Sequence, residues 1–226
     1  MRGELRLHRG KEVDAIDDLR RSLKQQPQLR VKQILVEAML DRSRNDPRQL
    51  LQSSAELQSL SEDPRQKIEV TQLLASALNE TGDRAGAVSQ LFRLALAMQI
   101  PEEMVARGPD HFVSLEQSLR SQLFGIYDAA NSSERAEIVK VFGRELDAIL
   151  TAADRNHRLI KFVKFTIGHP AADRLLLRLA ETNDVLPGEL SRTKLLERIA
   201  GSEDKQVAAA AVAALASRFL TSNAPK

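Results

Sequence analysis

The stretch Val70-Thr71-Gln72-Leu73-Leu74-Ala75-Ser76-Ala77-Leu78-Asn79-Glu80-Thr81-Gly82-Asp83-Arg84-Ala85-Gly86-Ala87-Val88-Ser89-Gln90-Leu91-Phe92-Arg93-Leu94 decides the fold class. Leu73, Leu74, Ala77 and Leu78 recur at the interval that lines up side chains on one face of a helix. Val88, Leu91, Phe92 and Ala95 do the same beyond Gly82. Gly82 stands where a left-handed residue closes one helix before the next begins. The stretch therefore predicts a helical hairpin with a tight turn.

The same period extends outward in both directions. Ile138, Val141, Phe142, Leu146, Ile149 and Leu150 form another apolar stripe. No segment alternates in the manner of a strand with β-branched enrichment, and Ala, Leu, Arg, Glu and Gln, which favour helix, abound. Pro47, Pro64, Pro101, Pro170 and Pro187 each precede a periodic segment, and proline suits a first helical turn because its missing N–H has no partner there to lose. Asp46 and Asp63 are N-cap candidates, Asn131 to Glu134 fits a capping box, and Ser202 is placed to cap the last helix. Gly10, Gly82 and Gly201 fall between helices. The expected helices run near 2–9, 12–25, 29–43, 47–61, 66–81, 83–99, 112–129, 133–152, 155–168, 170–183, 187–200 and 204–221. Short connections make successive helices antiparallel neighbours. The longer connection, Pro101 to Asp110, is the expected break between a 1–100 region and a 111–226 region.

A repeat underlies the pattern. Gly10, Ala15 and Leu19 recur as Gly82, Ala87 and Leu91, each 72 residues on, and Ala136, Ala172 and Ala208 are 36 apart. Gly3, Gly10, Ala15, Leu19, Ser22 and Pro27, and then Leu74, Ala75, Leu78, Gly82, Ala87, Leu91 and Leu94, resemble the tetratricopeptide repeat, whose small residues let helix backbones approach while large ones fill the space beside them. The hairpin at 29–63 departs from that pattern: it lacks the turn glycine, and Leu51 stands where alanine is usual. Beyond residue 101 the resemblance weakens, and Val207 to Leu215 looks more like HEAT-type stacking. The run Phe162 to Asp173 is similar to helical-repeat segments of large bacterial proteins that also carry quinoprotein-type β-propellers. That resemblance implies one piece of a larger envelope protein, entered part-way through a first hairpin. The expected fold is all-α, an α-solenoid of antiparallel hairpins, tetratricopeptide-like at 1–100 and irregular or HEAT-like at 111–226.

Composition removes several function classes. The 226 residues include no Cys and no Trp, so thiol nucleophiles and Cys-ligated zinc are excluded. Lys plus Arg is 33 against 31 for Asp plus Glu, which is too even for a dedicated nucleic-acid binder. A hydrophobic fraction of 42% at this charge describes a soluble globular chain, and no apolar run approaches membrane-spanning length. The start lacks a signal-peptide core, which fits a cytoplasmic chain, or a periplasmic one if it is excised from a larger exported protein. His8, His111, His157 and His169 form no helical metal pair, and Asp110-His111 has no second element to complete a metal dyad. Nucleophile-elbow and phosphate-loop motifs are missing. The sequence thus predicts no enzyme, no cofactor and no metal.

Two surfaces remain as candidates. In the tetratricopeptide-like arrangement the first helix of a hairpin lines the groove, which nominates Glu69, Gln72, Ser76, Asn79 and Glu80 for a protein or peptide partner, or for other domains of the same polypeptide. These residues also read as an ordinary solvated face. The alternative is a HEAT-like phosphate-binding stripe at Arg155, Arg158, Lys161 and Lys164. Steps of three drift around a helix and the interleaved Phe162 and Phe165 read as core, so nucleic acid is the disfavoured partner.

Overall fold

A computed structural model describes residues 12–97, 104–108, 111–182 and 191–222. The predicted helix at 2–9, with Gly3 and Gly10, lies outside the described residues. The chain divides into two compact units, Met1–Leu94 and Ala95–Lys226. Apart from one two-stranded hairpin the described elements are helices, as the periodicity predicts, and none of them is long and apolar enough to cross a membrane.

The first unit begins with α1 (Glu12–Gln25), which buries Ala15, Ile16 and Leu19. α2 (Leu29–Ser43) packs against it and buries Leu35, Val36, Met39 and Leu40. The expected single helix at 47–61 is broken into α3 (Pro47–Gln52) and α4 (Ser54–Leu60). Ser53 is the break: its Oγ donates to the carbonyls of Gln49 (3.0 Å) and Leu50 (3.1 Å). A hydroxyl that takes ladder acceptors competes with a regular helix. α5 (Pro64–Glu80) follows, and α6 (Arg84–Ala97) begins directly after the turn read from the sequence. Leu35, Leu50, Leu57, Val70 and Leu74 share one apolar core with Ile16 and Leu19. Arg20 holds Glu56 through two hydrogen bonds of 2.7 and 2.6 Å, which tie α1 to α4.

Two predicted caps form as read. The Asp46 carboxylate accepts from the Arg48 and Gln49 N–H groups, and Asp63 from those of Arg65 and Gln66. Gly82 has φ +91°, and the Asp83 N–H donates to the Leu78 carbonyl at 2.8 Å, which closes α5 in a left-handed C-terminal motif. Space for a Cβ exists at Gly82, so the constraint is conformational alone. Gly82→Ala is therefore expected to cost about 1 kcal/mol, the penalty of a left-handed backbone for an L side chain, measured as a fall in the urea midpoint at unchanged slope.

The second unit opens with β1 (Met104–Gly108) and β2 (His111–Ser114), which pair antiparallel from Met104↔Ser114 to Gly108↔His111 with an irregularity between Ala106 and Gly108. This corrects the expected helix start at 112. Four residues are too few for a strand period to stand out. Ser114 instead serves as the N-cap, in a capping box with Gln117, so that α7 runs Leu115–Asp128. α8 (Ser132–Thr151) starts at the predicted box, with Asn131 Oδ1 accepting from Ser133 and Glu134, and Glu134 accepting from the Asn131 N–H at 2.8 Å. α9 (Arg155–Thr166) and α10 (Pro170–Thr182) are joined through Gly168, whose φ of +78° gives the second left-handed turn. α11 (Arg192–Ile199) leads to α12 (Lys205–Ser222). Gly201, between α11 and α12, is not left-handed. Ser202 is not the cap of the last helix: Asp204 caps it, accepting from Gln206 (3.0 Å) and Val207 (3.3 Å), while the Ser202 hydroxyl donates to Asp173.

Within this unit α7 packs on α9, α8 on α9 and α10, and α10 and α11 on α12. Leu119, Leu123, Ile138, Phe142, Phe162 and Leu176 are fully buried. Arg120 reaches from α7 to the end of α9, donating to the Lys164 (3.1 Å) and Ile167 (2.9 Å) carbonyls. Arg135 does the same for α7, donating to the Tyr127 and Asp128 carbonyls with its guanidinium 5.0 Å from the Tyr127 ring. Helix C-termini carry unpaired carbonyls and partial negative charge, and a guanidinium satisfies both.

Candidate functional site

The α5 candidates fall on one stripe. Val70, Leu74, Ala75 and Ala77 are buried, while Glu69, Ser76 and Glu80 are exposed and Gln72 and Asn79 are half-buried. Positions 69, 72, 76 and 80 recur at three- and four-residue steps, so they share the face opposite the core. Glu69 lies 3.6 Å from the Arg44 guanidinium, and Ser76 Oγ donates to Glu80 at 3.1 Å. Asn79 keeps its Oδ1 buried without a hydrogen-bond partner, an acceptor turned away from water. At the C-terminal end of the stripe, Glu80 and Thr81 line an open cleft of about 490 Å³ together with Asn45, Asp46, Pro47 and Arg48. The structure thus brings four of the five residues to one surface and leads that surface into a cleft, with Asn79 at its edge.

The α9 candidates are differently placed. Arg158 is tied to Asp154 (Nε to Oδ2, 2.9 Å), which holds that carboxyl below its usual range. Lys161 donates to the carbonyl of Leu96, which lies in the last turn of α6, past the Leu94 end of the first unit, at 3.2 Å. Burial, and then the neighbouring Arg158 charge, lower its pKa. Arg155 is half-buried and Lys164 exposed, each with further interactions. Phe162 and Phe165 are core residues, as their spacing implies. Arg158 and Lys161 therefore serve contacts within the protein, which draws them away from a common anion-binding row.

One polar cluster was not legible as a site. His169 is fully buried, and its Nδ1 accepts from the Ala171 N–H at 3.1 Å, so the imidazole is the N-cap of α10. The rings of Phe124, Tyr127 and Phe142 surround it at centroid distances of 4.6, 4.8 and 4.8 Å. Burial drives its pKa down to about 4, against smaller opposing effects of the Leu123 carbonyl and Asp128. Four residues on, Asp173 is 2% exposed and accepts from Ser202. Burial raises the pKa of that carboxyl, and its Oδ1 meets no partner. The available signal was Pro170, which marks the residue before it as a cap. Both groups are sealed in the core, which gives a substrate no access. Among the described residues no three His, Asp or Glu side chains gather to hold a metal.

Compared with family models, curated proteins and solved structures, the chain matches none.

Proposed function

We propose that the chain is a helical-repeat interaction module, an α-solenoid whose α5 face receives an extended peptide or another segment of the same polypeptide. The observation that carries this reading is the continuous polar stripe Glu69, Gln72, Ser76 and Glu80, which runs into the cleft at Asn45–Arg48. Glutamine and asparagine amides can pair with a peptide backbone, and two carboxylates on one face favour a ligand that carries Lys or Arg. The stacked reading draws support from the packing order. With α3 and α4 counted as one broken arm, the principal contacts in each unit join helices adjacent or next-but-one in sequence. That is the nearest-neighbour pattern of a repeat stack. The tetratricopeptide-like turn at Gly82 and the buried Ala75, Ala87 and Leu91 agree with it.

Selection from an unbiased peptide library tests the proposal. Peptides bearing Lys or Arg should be enriched on the intact chain, and their binding should fall at high salt as the carboxylate contacts are screened. Failure to enrich any peptide, together with turnover of a small molecule by the same preparation, would overturn it.

A further inference from the structure

The cleft at the end of the α5 stripe holds two opposite charges that the chain itself leaves unanswered. Its volume of about 490 Å³ suits side chains or a small ligand rather than a folded domain. Two of its lining groups are engaged locally. The Asp46 carboxylate accepts from the Arg48 and Gln49 N–H groups, and the Thr81 hydroxyl donates to the Ala77 (2.8 Å) and Leu78 (3.1 Å) carbonyls. Arg48 and Glu80 differ. Both side chains are exposed, and among the described residues neither forms an ion pair with the other or with any other side chain. Glu80 meets the neutral Ser76 hydroxyl at 3.1 Å, and the C-terminus of α5 adds partial negative charge beside it. Glu69, further along the same face, is balanced within the chain: Arg44 lies 3.6 Å from it and 3.6 Å from Asp41. Along this site the unanswered opposite charges are therefore Glu80 and Arg48.

On the peptide-binding reading of the α5 face, on which this rests, we infer that the cleft selects a mixed-charge peptide. A Lys or Arg side chain of the ligand sits against Glu80, and an Asp or Glu side chain a short way along the same ligand sits against Arg48. A ligand with cations alone would bring like charge to Arg48, and one with anions alone would bring it to Glu80. Like charges set side by side cost affinity, so the cleft discriminates by repulsion as well as by attraction. The Asn45 amide lines the cleft from the same turn as Arg48, and it can both donate to and accept from a peptide backbone. The partner class is thereby narrower than a basic peptide: the ligand carries both signs of charge within reach of one cleft.

Affinity measurements on the intact chain test this with end-blocked peptide pools. One pool carries a Lys and an Asp at varied spacing, one has Ser in place of the Asp, and one has Ser in place of the Lys. Blocked ends keep every ligand charge on a side chain. The mixed pool should bind about tenfold more tightly than either single-charge pool. Arg48→Glu should reverse the preference, favouring a pool in which a second Lys replaces the Asp, and Arg48→Gln should erase the preference without reversing it. Arg48 is exposed in the first turn of α3, where a carboxylate is well placed, so both variants should keep the wild-type circular dichroism spectrum. Equal binding of the mixed and Lys-only pools overturns the inference, and so does a preference for Asp that survives both Arg48 variants. If the Lys-only pool then still loses affinity in Glu69→Lys/Glu80→Lys, the α5 reading stands while the mixed-charge reading falls. Binding of no pool overturns both.

Discussion

Phe142→Ala is expected to destabilise the second unit by about 3–5 kcal/mol, the usual cost of emptying an aromatic site in a packed core. Phe142 is fully buried on α8, and its ring lies 4.8 Å from His169 on the neighbouring α10. Removing it takes contact area from two helices together and opens a void beside the buried imidazole. Water entering that void would lift the His169 pKa from about 4 back toward its ordinary value. Two readouts should therefore move together: the urea midpoint of the second unit falls, and the His169 titration observed by NMR shifts upward. A midpoint within about 1 kcal/mol of wild type would mean that the α8–α10 packing is not as described, since surface substitutions rarely exceed that range.

The second large effect is acid lability centred on the same histidine. The folded pKa of about 4 lies below the ordinary value of 6.5, so the folded state holds the neutral ring. Stability from this group is fully present above pH 6.5. It declines as pH falls through the window from 6.5 to about 4, where the unfolded chain takes up a proton that the folded chain refuses. The loss across that window amounts to about 3 kcal/mol, because a tenfold difference in proton affinity between the two states is worth about 1.4 kcal/mol. Protonation would also remove the Nδ1 lone pair that caps α10. Asp173 acts with the opposite sign. Its raised pKa means that the folded state binds a proton more readily, so stability rises as pH falls between that raised value and the ordinary 3.8. This partly offsets the histidine at the acid end of the range. His169→Asn, which keeps a capping oxygen and cannot titrate, should flatten stability between pH 6.5 and 4. A wild-type chain equally stable across that window would contradict the assignment.

Residues that act through near neighbours were legible in the sequence, and those that act across the fold were not. The turn at Gly82, the caps at Asp46 and Asp63 and the box at Asn131 depend on a few consecutive residues, and each formed where it was read. Ser53 broke its helix through a local hydroxyl that could equally have pointed to solvent. Ser202 was drawn from its expected capping role by Asp173, 29 positions away. Arg120 satisfies the carbonyls of Lys164 and Ile167, 44 and 47 positions away, and no local pattern announces that contact. The same limit applied to the candidate surfaces. The tetratricopeptide-like resemblance nominated the α5 residues, of which Glu69, Gln72, Ser76 and Glu80 share one face, whereas the commitments of Arg158 and Lys161 depend on contacts that no spacing reveals.

The proposed role rests most directly on whether a ligand uses the α5 stripe. The deciding measurement is the affinity of a library-selected basic peptide for three proteins: the wild type, the double variant Glu69→Lys/Glu80→Lys, and Lys164→Glu on α9. Reversing both α5 charges should weaken binding by about tenfold or more, equivalent to about 1.4 kcal/mol, and Lys164→Glu should leave it unchanged. An affinity indifferent to the α5 reversal would contradict the account.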